Sequence, residues 1–134
     1  MIEKELRDWL IDQTETQKIY HTAIPQGVGG TCVTLQVTNK DRKYTQSKTS
    51  CECATTFNIG IWIKTDSEIQ GYYDVKTVAE TIRGVLEDYP NTMGSHSIHS
   101  ITVDSESDSQ PQYLEGNNDL ILGVTLTVLI IHSQ

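Results

Sequence analysis

The sequence has few of the residues that build disulfide-rich, nucleic-acid-binding or membrane-spanning proteins. Its three cysteines are an odd number and do not make a disulfide framework, so a reducing cytoplasm is the default setting. Only 10 lysines and arginines stand against 18 aspartates and glutamates, and a net charge of −8 argues against a nucleic-acid-binding surface, which is usually basic. The length of 134 residues predicts a single domain, 1–134, with room for a sizeable core.

Long hydrophobic segments and catalytic motifs are lacking as well. The longest apolar run, residues 120–131, is too short and too rich in threonine to span a membrane as a helix, and the charged N-terminus predicts no signal peptide. The glycine-rich segment 27–30 lacks the Lys-Ser/Thr pair of a phosphate-binding loop, and no nucleophile elbow or triad signature is visible. The sequence therefore predicts neither an enzyme nor a cofactor.

Hydrophobic periodicity predicts an α+β domain with the element order α-β-β-α-β-β. The expected fold is a mixed, mainly antiparallel sheet of about four strands with two helices packed on one face. Polar connectors are expected at 18–30, 39–48 and 104–119. The predicted helices cover 2–13 and 75–89, the second capped by Asp74, and the predicted strands cover 31–38, 51–64, 98–103 and 120–131.

Two cysteines and two histidines have the ligand types of a structural zinc site. Cys51 and Cys53 lie in a predicted strand, on the face that continues into Phe57, where a free cysteine behaves as a small hydrophobe. His96 and His99 are three residues apart and would face opposite sides of a strand. The pattern favours core cysteines over zinc, and a small metal- or ligand-binding module is kept as an alternative.

The acidic stretch after residue 103 has part of a calcium-loop pattern. Asp104, Glu106, Asp108 and Glu115 fall at positions 1, 3, 5 and 12 of such a loop. Position 6 is Ser109 rather than glycine, and the flanking segments are predicted strands rather than helices. We interpret the stretch as a solvated acidic loop, with a charged functional surface as the alternative.

Four further residues are predicted to contact other subunits. Lys40, Arg42 and Lys43 form a small basic loop between two strands, which is either a solvated turn or a site for an acidic partner. Trp62 lies on the otherwise polar face of the strand 51–64. An exposed aromatic side chain there would be a natural contact between neighbouring subunits.

Four segments of the sequence carry a resemblance to a known family. They are the amphipathic N-terminal helix, KIYHTAIPQGVGGTCVTLQV (18–37), FNIGIWIK (57–64) with VAETIRGVLEDY (78–89), and the acidic strand end ITVDSES (101–107) that leads through a loop to NDLILGVTLTVLI (118–130). Together these segments resemble the tail terminator proteins of bacteriophages and prophages, also called tail-completion or head–tail joining proteins. The Cys51 and Cys53 pair is outside the family's pattern.

The resemblance implies a structural protein without catalytic activity. Subunits of this family assemble, commonly as a homo-hexameric ring, on the head-proximal end of the tail tube, where they end tube polymerisation and provide the head-attachment surface. The implied partners are further copies of the chain, the tail tube protein and the head–tail connector protein. The implied location is the virion tail, after assembly in the bacterial host cytoplasm. A neck or head–tail connector protein of the same particle is the alternative.

A ring of this kind also offers a role for the acidic charge. Carboxylates that line a pore repel the phosphates of DNA passing through, so that the DNA is not tightly bound. We therefore expect part of the stretch 104–115, with its acidic residues Asp104, Glu106, Asp108 and Glu115, to face the lumen of the ring, or else the acidic edge of a helix to do so.

Overall fold

The computed structural model describes residues 1–14, 18–21, 30–44, 51–113 and 120–133. Within these ranges the chain forms two helices and seven strands. The helices are α1 (Ile2–Thr14) and α2 (Glu68–Glu87), and the strands are β1 (Ile19–His21), β2 (Thr31–Tyr44), β3 (Cys51–Thr65), β4 (Thr92–Met93), β5 (His96–Asp108), β6 (Gln112–Tyr113) and β7 (Leu120–Ser133).

All seven strands belong to one sheet. Its order is β1-β2-β3-β7-β5-β4, and the short β6 pairs with the start of β7. The pairing is antiparallel throughout except between β1 and β2, which are parallel. The long strands β3 and β7 are therefore central, and both have a neighbour on each side.

The sheet curls into a half-barrel, and α1 contacts both of its ends. Arg7 donates a hydrogen bond from Nε to the backbone oxygen of Ile19 in β1 (2.7 Å). At the other end, Glu5 accepts hydrogen bonds from Ser95 and contacts His96 at the start of β5. One short helix reaches both ends because the sheet between them is curved.

The core fills the space between the curled sheet and the two helices. Alternate residues of β3 point inward and meet alternate residues of β7, for example Phe57 opposite Val128 and Ile59 opposite Leu126. Each fully buried aliphatic or aromatic side chain of this kind stabilises the fold by about 1.5–3 kcal/mol relative to exposure. The helices contribute Ile2, Leu6, Leu10, Val75, Ala79, Ile82 and Leu86 to the same core.

The expected sheet of about four strands with both helices on one face is wrong. The sheet has seven strands and is curled. Three of the strand errors share a cause: β2 continues through the basic segment to Tyr44, β5 continues through the acidic segment to Asp108, and β1 lies in the expected connector. These segments lie at or near the sheet edges, where solvent on several sides removes the apolar alternation that reveals a strand.

The start of α2 also differs from its expected position. The helix begins at Glu68, and Ser67 rather than Asp74 is its N-cap, with its hydroxyl oxygen accepting a hydrogen bond from the backbone nitrogen of Gln70 (3.3 Å). Asp74 is inside the helix and accepts a hydrogen bond from the side chain of Gln70. The first turns of α2 were missed because their apolar side chains point to solvent instead of joining the buried stripe.

Candidate functional site

The start of α2 carries the main exposed apolar cluster of the described residues. Ile69 is 71% exposed and Tyr73 is 60% exposed, and the ring of Tyr72 packs edge-on against that of Tyr73, with 6.1 Å between centroids. The opposite side of this turn is held close to the sheet by Gly71, where an added Cβ would lie 2.5 Å from the side chain of Thr65. Local packing therefore directs large apolar side chains outward, which is typical of an interaction surface.

A groove of about 390 Å³ lies beside this cluster. Its walls are the first turns of α2, including Ile69 and Tyr72, and the break between β5 and β6, including Pro111; Leu122 of β7 also lines it. Tyr113, 73% exposed, follows Pro111 on β6. We call Ile69, Tyr72, Tyr73 and Pro111 the aromatic surface.

Lys76 links the aromatic surface to the acidic strand β5. Its Nζ lies 2.6 Å from Asp108, 3.4 Å from Glu106 and 5.4 Å from the ring centroid of Tyr72. The hydrogen bond to Asp108 raises the pKa of Lys76, and the nearby negative charges act in the same direction. Two of the predicted lumen residues are therefore ion-paired with α2.

The remaining predicted acidic residues are in different settings. Asp104 is exposed at an irregularity of β5, where the pairing with β7 shifts between Val103 and Ser105. Asp104 makes no ion pair with the residues that the structure describes. Glu115 lies outside the described residues. The expected acidic loop is thus a strand as far as Asp108.

The predicted basic loop is also a strand. Lys40 pairs with Thr55, Arg42 with Cys53 and Lys43 with Glu52 along the β2–β3 ladder. The Nζ of Lys40 lies 2.8 Å from Glu3 of α1, while the side chains of Arg42 and Lys43 are outside the described part of the structure. These basic residues therefore lie on a strand, beyond the positions of β2 that β1 covers.

Trp62 is half-buried rather than a freely exposed aromatic side chain. Its ring lies across Gly60 and Gly123, where an added Cβ would come within 2.3 Å and 2.2 Å of indole atoms. The indole Nε1 donates a hydrogen bond to the Oγ1 of Thr34 (3.1 Å). The side chain thus joins β2, β3 and β7 on the outer face of the sheet, and its role in a contact between subunits stays a prediction.

This packing gives a specific stability prediction. Gly123→Leu is expected to reduce the free energy of unfolding by about 1–3 kcal/mol, because the new side chain occupies the space of the Trp62 ring. In a Trp62→Ala background the same change should cost much less, since the space is then empty. Urea denaturation of the wild type, both single variants and the double variant measures this coupling. Equal effects of Gly123→Leu in both backgrounds would contradict the packing described.

A partly buried polar cluster joins α1 to the sheet and has no counterpart in the sequence predictions. The backbone nitrogen and hydroxyl of Ser95 donate to Glu5 at 3.1 and 3.0 Å, and His96 Nδ1 is hydrogen-bonded to the same carboxylate. The ring of His96 contacts that of His132 (5.2 Å between centroids), and His132 Nε2 lies 2.9 Å from the Oγ1 of Thr55. Only the curl of the sheet brings α1 and β5 together, so no local sequence signal reveals this cluster.

The titration of this cluster follows from its burial. Burial opposes the ionisation of Glu5, but the hydrogen bonds from Ser95 and His96 outweigh it and lower the pKa of Glu5 below its usual value. Burial lowers the pKa of His132 to about 4, and electrostatic interactions with His96 and Lys40 act in the same direction. His132 is therefore neutral at neutral pH.

Of the residues considered for zinc, the three with described side chains, Cys53, His96 and His99, are not gathered into one place. His96 is buried and His99 is exposed, so the two face opposite ways as predicted; His99 Nε2 lies 2.9 Å from Ser133. Cys53 is half-buried, and the side chain of Cys51 is outside the described part of the structure. Among the side chains described, no group of three or more His, Cys, Asp or Glu is arranged to hold a metal ion.

Neither of the two described helices is long and apolar enough to cross a membrane.

The fold of the chain is found in a solved virion. A chain of the structure described as "Virion of native gene transfer agent (GTA) particle" matches over 99% of this chain and 92% of that chain, with a TM-score of 0.60 and 13% sequence identity. At this identity the likeness shows a shared fold. No protein-family model matches the sequence, and no curated protein matches it significantly.

Proposed function

We propose that this chain is a structural subunit of a phage-like particle, and specifically that it acts as a tail terminator. Copies of the chain form a ring, with six as the expected number, on the head-proximal end of the tail tube. The ring ends tube polymerisation and presents the surface to which the head connector binds. The observation that carries the proposal is the exposed aromatic surface at the start of α2, on a fold that is shared over nearly its whole length with a virion chain.

The proposal assigns no catalysis and no cofactor to the chain. Its partly buried polar cluster of Glu5, His96 and His132 connects α1 to the sheet, and none of these residues lines the groove beside α2. The net charge of −8 suits a ring through which DNA passes, because a surface rich in carboxylates does not retain phosphates.

Deletion of the gene in a strain that produces the particle tests this function. We expect tubes of abnormal length without attached heads, and recovery of normal particles when the wild-type gene is supplied on a plasmid, with both scored by electron microscopy. A neck or connector subunit would instead leave detached tails of normal length. Normal, infective or gene-transferring particles in the absence of the chain would overturn the proposal.

The aromatic surface gives a second prediction at the residue level. Ile69→Ser combined with Tyr73→Ser should change the free energy of unfolding by less than about 0.5 kcal/mol, because both side chains are exposed. The same variant should fail to restore particles in the deletion strain, since contacts with the neighbouring protein are lost. Glu80→Ser with Arg83→Ser, exposed positions further along α2, is the matched control and should restore them. Full restoration by the Ile69 and Tyr73 variant would show that the aromatic surface does not contact the neighbouring protein.

A further inference from the structure

Among the residues that the structure describes, two edges of the sheet lack a partner strand over similar lengths. On β2, β1 covers positions 33–35, and no strand of the described ranges covers 36–44 on that side. On β5, β4 covers 96–97, and no described strand covers 100–108 on that side. We call these segments the β2 edge and the β5 edge. Unpaired backbone groups on an open edge are a template for pairing with another chain.

The two edges carry opposite charge. The β2 edge contains Lys40, Arg42 and Lys43 with a single acidic residue, Asp41. The β5 edge contains Asp104, Glu106 and Asp108 and no basic residue. Opposite charges on two surfaces steer them together and fix their register, whereas two β2 edges or two β5 edges would repel each other.

Lys40 and Glu106 also share one side of the sheet. Lys40 is opposite Thr55 in β3, and Thr55 is opposite Ile130 in β7. Glu106 is opposite Leu126 in β7, an even number of residues from Ile130 and therefore on the same face. If the β2 edge of one copy continues into the β5 edge of the next, Lys40 and Glu106 come to lie on the same face of the joined sheet.

Strand direction and the covered ends are compatible with this contact. Three antiparallel steps lead from β2 through β3 and β7 to β5, so β2 and β5 run in opposite directions. Copies related by rotation about an axis along the strands would therefore pair these edges in the antiparallel way. In such an overlap, positions 36–44 of one copy pair with positions 108–100 of the next. The β1 strand of the first copy then lies beyond position 108 of the second, where β5 ends. The β4 strand of the second copy lies beyond position 44 of the first, so neither strand obstructs the contact.

We infer that the chain assembles by pairing the β2 edge of one copy with the β5 edge of the next, so that the sheet continues from subunit to subunit. Because the two surfaces differ, each copy offers one of each, and the contact generates a closed ring when the rotation closes. The inference rests on the proposed function, which requires self-assembly, and it identifies the contact. It places Asp104 and Glu106 between subunits rather than in the lumen.

Charge exchange between the edges tests the inference. The first variant carries Arg42→Glu and Lys43→Glu. The second carries Asp104→Lys and Glu106→Lys, which removes the longer contact of Lys76 with Glu106 (3.4 Å) and keeps its shorter one with Asp108 (2.6 Å). Each variant alone has two edges of the same sign, and light scattering should give a mass of 15.0 kDa, whereas the wild type gives an assembly. An equimolar mixture should assemble again, with the two variants alternating. Circular dichroism melting verifies that each variant is folded.

A matched control and an amide-exchange measurement complete the test. Arg83→Glu with Glu87→Lys reverses an exposed ion pair on α2 and should leave the assembly intact. In the wild-type assembly, backbone amides of 36–44 and 100–108 should exchange more slowly with deuterium than in the variants. Two results would show that the edge contact is wrong while the proposed function stands. In the first, the edge variants assemble as well as the wild type does. In the second, the wild type assembles but the mixture of the two variants does not. If the wild type never assembles, both fail.

Discussion

Leu6→Ala in α1 is expected to lower the free energy of unfolding by about 2–5 kcal/mol. Leu6 is fully buried, and α1 is the element that contacts both ends of the curled sheet. The cavity left by the leucine side chain weakens this central attachment as well as the hydrophobic core. Urea denaturation measures the loss of stability directly.

The position of the damage is as informative as its size. Amide exchange of β1 and of the first residues of β5 should increase more than that of the central strands β3 and β7, because the ends of the sheet depend on α1. Lys4→Ala, an exposed change on the same helix, is the control and should alter stability by less than about 0.5 kcal/mol. A uniform increase across all strands would show that α1 does not hold the ends of the sheet.

The protein is expected to lose up to about 3 kcal/mol of stability as the pH falls from 6.5 to 4, because of His132 alone. The unfolded chain binds a proton at His132 near its ordinary pKa of 6.5, whereas in the folded state its pKa is lowered to about 4. Between these values the unfolded state binds more protons, so stability rises with pH through this window and is complete above it. His132 Nδ1 is buried without a hydrogen-bond partner among the described residues, so protonation there would add an unsatisfied donor.

Urea denaturation at a series of pH values isolates this effect. The wild type should become steadily less stable below pH 6.5, and His132→Gln should flatten the curve between pH 6.5 and 4, whatever its stability at neutral pH. The comparison of slopes separates the titration from the loss of packing. Glu5, of which the pKa is also lowered, contributes mainly below its usual value of 4.5. An unchanged slope in the variant would contradict the burial of His132.

The central part of the fold was predictable from sequence because burial there follows strict periods. Alternation identified β3, a run that is apolar on both faces identified β7, and helical spacing identified α1. The edges were not predictable in this way. In β2 beyond Val37 and in β5 beyond Val103, charged side chains replace the alternation, so the sequence pattern there indicates loops instead of strands.

The candidate site was predictable only in part, because its geometry depends on contacts distant in sequence. The space for Trp62 is created by Gly123 on another strand. The hydrogen-bond partner of His96 is Glu5 in α1, 91 residues earlier in the sequence. The aromatic surface left one signal in the sequence: Ile69 and Tyr73 do not fit the buried stripe of α2. Such residues at the start of a helix are better interpreted as a contact surface than as a loop.

If this chain is a self-assembling structural subunit, its mass in solution is the most direct test. The mass is measured on the purified protein by light scattering, over the widest accessible concentration range. We expect a species that grows with concentration from 15.0 kDa to a fixed multiple of that mass, with six as the expected multiple. A mass of 15.0 kDa at every concentration would contradict it.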